Sequence, residues 1–162
     1  MQKITHQQLL DWLKKEVKLS LGCTEPIAIA YAAAVAAKYL NAPILKITGN
    51  ISENLYKNAM GVTIPGTSYC GVTLAAAIGA IGGNADADLE VLKDITATQI
   101  TEAYIFNESG NVCLNAVDAT DFIFIDITLY SLSDQCRVVI QGSHTNVTEV
   151  YINNIKQILV RD

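Results

Sequence analysis

The chain has 162 residues, 51% of them apolar and 17% charged, with 11 Lys and Arg against 16 Asp and Glu. At ~100–200 residues per domain this is one domain, or two small lobes on a shared core, and it is long enough to bury a core without disulfides. A formal net charge of -5 and a pI near 4.9 leave no basic footprint for nucleic acid or an anionic membrane, so small molecules and proteins are the expected partners.

Thr5-x-x-Gln8 has the form of a capping box, and Leu9, Leu10, Leu13, Val17 and Leu21 recur at helical spacing. Together they predict an amphipathic helix over residues 5–20. Charges at Asp11, Lys14, Lys15, Glu16 and Lys18 break the apolar run that a secretory signal needs, so the chain is expected in the cytoplasm. A second helix opens with Pro26 in its first turn, where a missing N–H costs nothing, and runs to about Leu40. It is rich in Ala and apolar on every side, which predicts a central helix with other elements packed closely around it.

Ile44–Ile47 has the length and branching of a short strand, delivering the chain to Gly49-Asn50-Ile51-Ser52 and then a turn or short helix. A third apolar helix opens after Pro65-Gly66-Thr67 and closes at Gly82-Gly83; Asp88 is expected to cap a fourth that carries Leu89, Leu92, Ile95 and Ile100. From Val112 the text becomes β-like, with Phe122–Leu129, a turn at Ser133-Asp134-Gln135, Arg137–Ile140 and Asn146–Ile152. The expected fold is therefore α+β, a helical lobe over about 1–108 and an antiparallel sheet lobe over about 110–160, with the seam near Asn107–Asn111. The longest apolar runs, Ile27–Ala37 and Gly71–Gly83, are too short for the ~18–20 residues that cross a bilayer.

Several segments carry chemistry-bearing residues. Gly22-Cys23-Thr24-Glu25-Pro26 puts a thiol, a hydroxyl and a carboxylate at the first turn of the central helix. Unpaired N–H groups and the positive end of the helix dipole meet there and can lower a cysteine pKa or hold a ligand carboxylate; a plain capped helix with a packed thiol has the same sequence. Residues 49–61 concentrate Asn50, Asn54, Asn58, Ser52 and Lys57, enough to hydrogen-bond both ends of a small zwitterion, or simply a polar surface loop.

Gly66–Thr73 has the glycine spacing of a phosphate loop but Val72 where the lysine must be, which rejects nucleotide binding. Thr67 there faces a ligand or merely shapes a turn leading into a helix. His144-Thr145-Asn146 lies between two strands, where a histidine serves as proton carrier or as an ordinary exposed side chain. His6 is expected at the surface. The cysteines at 23, 70, 113 and 136 form no Cys-x-x-Cys pair and have no His at ligand spacing, so no zinc knuckle or disulfide framework is legible and most are expected as buried thiols.

Gly22-Cys-Thr-Glu-Pro26 before an Ala-rich helix, Lys57-Asn58-x-x-Gly61-Val-x-Ile-Pro-Gly-Thr67, Ala75–Gly83 and His144-Thr145-Asn146 together resemble, in order, the L-cysteine desulfidase family, which is related to the α-chain of iron–sulfur L-serine dehydratases. The resemblance implies β-elimination from L-cysteine or L-serine to pyruvate and ammonia, plus sulfide for cysteine, on a [4Fe–4S] cluster. It implies catalytic roles for Cys23 and His144, Cys23 as cluster ligand or as thiolate near the α-carbon. It implies substrate contacts from Thr24, Glu25, Asn54, Lys57, Asn58, Thr67, Thr145 and Asn146.

Family members are longer and place their further cluster cysteines in a C-terminal portion. On that basis the chain is expected to be the N-terminal, substrate-binding portion of such an enzyme, inactive and without cluster alone, completed by its missing half or by a homodimer. The rival expectation is a non-catalytic module that binds an amino acid or a protein partner.

Overall fold

The computed structural model describes residues 5–8 and 24–159. At its start, Thr5 and Gln8 form the expected reciprocal cap: the Thr5 N–H donates to Gln8 Oε1 at 3.0 Å and the Gln8 N–H to Thr5 Oγ1 at 3.1 Å. His6 is exposed and begins a helical stretch. The rest of the helix expected over 5–20, and Cys23, lie outside the described residues.

Helix α1, Thr24–Leu40, is the apolar helix read from the sequence. Ala28, Ile29, Ala30, Ala32, Ala33 and Ala36 are fully inaccessible, because this helix lies between the sheet and a second helix. Strand β1, Lys46–Ser52, begins two residues later than expected and continues through Gly49 and Asn50. It leads directly into α2, Glu53–Met60, and a loop then brings the chain to α3, Val72–Gly82.

The expected Asp88-capped helix is replaced by two elements. A 3₁₀ segment, Ala85–Glu90, is kinked at Asp88 (φ 51°, ψ -119°), and α4, Ala97–Glu108, starts from its own capping box at Thr96 and Gln99. Positive φ at Asp88 and the turn after it break the apparent Leu89–Ile100 periodicity.

Strands β2 (Val112–Val117), β3 (Phe124–Tyr130), β4 (Gln135–Gln141), β5 (Val147–Ile152) and β6 (Ile155–Lys156) complete a sheet of order β2-β1-β3-β4-β5-β6. All pairs are antiparallel except β1 with β2. The fold is α+β. A parallel β1–β2 pair requires a crossover, and residues 53–111 supply it with α2, α3, the 3₁₀ segment and α4.

Alternation decides which side chains meet the helices. Ile47 and Ile51, then Ile125, Ile127 and Leu129, then Cys136, Val138 and Ile140 are buried on one face. The opposite face is polar and half-buried: Arg137 grips Asp126 through two bonds of 2.8 and 2.9 Å and lies over the Tyr151 ring. Three described cysteines are free thiols, and only Cys136 is buried; Cys70 in a loop and Cys113 on edge strand β2 are exposed, which corrects the expectation of buried thiols there. No helix among the described residues is long and apolar enough to cross a membrane.

Candidate functional site

Within α1 the residues Tyr31, Val35, Lys38 and Tyr39 recur at i, i+4, i+7 and i+8, and so share one helix face. This stripe is one wall of a cleft of about 320 Å³. Asp86 of the 3₁₀ segment and Thr145 and Asn146 of the β4–β5 turn stand across from it.

Each opposing wall has a local cause. Asn84 caps the 3₁₀ segment by accepting the Asp86 N–H at 3.0 Å, which sets Asp86 at the start of that segment. In the β4–β5 turn, Gly142 adopts φ 90°, and Asn146 Nδ2 donates back to the Gln141 carbonyl at 2.9 Å. The β4–β5 register shifts between Val139 and Ile140, an irregularity that re-aims the chain next to this turn.

Lys38 Nζ donates to Asp86 Oδ1 at 2.5 Å across the rim, with the two side chains 59% and 73% exposed. The hydrogen bond to Asp86 raises the Lys38 pKa above the ordinary lysine range, so the ammonium keeps its charge at neutral pH. Tyr31 is 8% exposed. Burial pushes its phenol pKa up, the Asp88 and Asp86 carboxylates add to the rise, and Lys38 opposes it. Tyr31 is therefore a neutral hydroxyl in a cleft also lined by charges of both signs.

Beside the cleft, His144 Nε2 is buried without a hydrogen-bond partner. Burial lowers the His144 pKa, and the Glu25 carboxylate of α1 pulls it back up. Thr24 and Glu25 are half-buried in the first turn of α1.

The remaining residues singled out from the sequence do not join them. Asn54, Lys57 and Asn58 are exposed on α2, and none lines the cleft. The Thr67 hydroxyl donates to the Ile64 carbonyl at 2.9 Å and accepts the Tyr69 N–H at 3.0 Å, which makes it a turn-former. Among the described residues no three His, Cys, Asp or Glu side chains form a set that could hold a metal ion.

Sequence reasoning missed Tyr31, Lys38 and Asp86. One signal was present: Tyr31 is the only polar side chain between Pro26 and Ala37.

Comparison with known proteins follows the whole chain rather than its motifs. The chain is similar to UPF0597 proteins. It is 54% identical over 148 residues to one from Klebsiella pneumoniae subsp. pneumoniae, covering 91% of this chain and 35% of the relative. It is 45% identical over 147 residues to one from Shewanella sediminis, covering 91% and 35%, and 44% identical over 146 residues to one from Photobacterium profundum, covering 90% and 34%. The chain thus spans about a third of the length of the curated relatives it matches. No family model matches, and no solved structure matches.

These relatives correct the resemblance to L-cysteine desulfidases and L-serine dehydratases, since proteins alike over nine-tenths of the chain carry the UPF0597 name instead. With it goes the ground on which lyase activity, amino-acid catabolism and a [4Fe–4S] cluster were expected. Packing explains why the motifs misled. In Ala75–Gly83 small residues are needed where α3 presses on α1, and Pro65-Gly66-Thr67 shapes a hydrogen-bonded turn; neither requirement is peculiar to one chemistry.

Proposed function

We propose that the cleft beside α1 binds a small zwitterionic molecule, of which an L-amino acid is the simplest class, as one portion of a larger protein. The observation that carries this reading is the Lys38–Asp86 pair on the rim of a cavity of about 320 Å³, within the size range of small-ligand sites. An ammonium and a carboxylate on one ligand can replace that pair charge for charge. The exchange costs little, because an ion pair so exposed contributes next to nothing to stability. Thr145 and Asn146 bring neutral polar groups from the facing turn, and Val35 offers apolar contact to a short side chain. Free thiols at Cys70, Cys113 and Cys136 support a reducing, cytoplasmic setting.

Isothermal titration of the chain with L-alanine, L-serine, L-glutamate and L-lysine tests this. Saturable binding of at least one, weakened about tenfold or more by Asp86→Asn, is expected. Heat of dilution alone across the panel would overturn the reading.

A further inference from the structure

We propose that Tyr31 is the specificity-determining residue of this cleft, its hydroxyl donating a hydrogen bond to the carboxylate of an amino acid whose ammonium group is held by Asp86. This deepens the zwitterion reading and rests on it. Tyr31 is the one hydroxyl in an otherwise apolar stretch of helix, and it lines the cleft. Among the described residues it makes no hydrogen bond, so its donor is free for a ligand. Its neighbours Ala30 and Ala32 are fully inaccessible, which fixes the helix from which the ring projects.

Tyr31 lines the same cleft as Lys38 and Asp86, the two charges that would hold the ends of a zwitterion. A phenol is protonated at neutral pH, and burial, with the Asp86 and Asp88 carboxylates, pushes its pKa further up. A protonated phenol both donates and accepts, so with the ammonium group held by Asp86 its O–H is left to donate a charge-assisted hydrogen bond to the carboxylate. Lys38 attracts the carboxylate from an exposed position on the rim; Tyr31 reads it from a buried one.

The experiment compares L-alanine with L-alaninamide, which keeps the ammonium but lacks the anionic carboxylate, on the wild-type chain and on Tyr31→Phe. Thermal unfolding checks that the variant folds. The expected result is wild-type preference for L-alanine, with Tyr31→Phe losing about tenfold to a hundredfold in L-alanine affinity and most of that preference. Equal preference in both proteins would overturn the role of Tyr31 and leave the cleft reading standing. A wild-type chain that binds L-alaninamide as tightly as L-alanine would overturn it without reference to the variant. Failure of the wild type to bind either compound, or any amino acid of the wider panel, would overturn both.

Discussion

Gly79 of α3 lies directly against the backbone of Ala30 in α1: a β-carbon at Gly79 would stand 2.6 Å from the Ala30 α-carbon and carbonyl carbon, and closer still to its oxygen. Two helices approach this closely only where one has no side chain. The Ala-rich composition of α1 follows from the same contact, since Ala28 through Ala36 meet neighbours on every side.

Gly79→Ala is therefore expected to destabilise the fold by about 1–3 kcal/mol, lowering the thermal midpoint by about 3–10 °C. Gly61→Ala is the matched control. Nothing lies within 4 Å of a β-carbon there and φ is -88°, so its shift should stay within about 0.5 kcal/mol. Similar midpoints for the two variants would refute the helix contact.

At the mouth of the cleft stability and binding should separate. Asp86→Asn removes a pair whose partners are 73% and 59% exposed, and the midpoint should move by no more than about 2 °C. Thermal unfolding run beside the titration shows whether a loss of affinity is local or reflects a damaged fold.

His144 makes the folded state sensitive to acid. Burial holds its folded pKa below the unfolded value of 6.5, with Glu25 opposing. Between those two values the unfolded chain binds the extra proton, so stability rises with pH. The contribution is complete above about pH 6.5 and is lost as pH falls through the folded-state value. His144→Gln should narrow the difference in unfolding midpoint between pH 7.5 and pH 5, and an unchanged difference would assign the acid response to other groups.

The described thiols should differ in reactivity. Cys136 is inaccessible and burial pushes its pKa up to about 11, whereas Cys70 and Cys113 are exposed. Brief treatment of the native chain with iodoacetamide at pH 8, followed by peptide mapping, should label Cys70 and Cys113 and spare Cys136 until the chain is unfolded. Equal labelling of all three would contradict the placement of β4.

Much of the local structure is legible before any coordinates. Pro26 marks the start of α1, and Asn41, at φ 47°, follows its end at Leu40. Alternation in Phe124–Tyr130 marks a strand with one buried face. The Thr96–Gln99 capping box was equally readable, being the same pattern as Thr5–Gln8. It was obscured because Leu89, Leu92, Ile95 and Ile100 mimic one continuous helical stripe across the Asp88 kink. Gly49 and Asn50 opened a segment that also read as a polar surface loop, yet they lie inside β1. A β-carbon at Gly49 would stand 3.1 Å from the Ile127 α-carbon, so the glycine serves close strand contact.

Periodicity, caps and turn residues are properties of neighbours in sequence, and through them the sequence by itself determined the α+β class, the central Ala-rich helix and the C-terminal hairpins. The parallel β1–β2 pair and the cleft were decided by tertiary structure alone. Lys38 and Asp86 are 48 residues apart, and Tyr31 meets Asn146 across a cavity whose walls come from a helix, a 3₁₀ segment and a strand turn. No local propensity encodes such a meeting; it arises when burial of α1 between sheet and helices brings those three elements to one place.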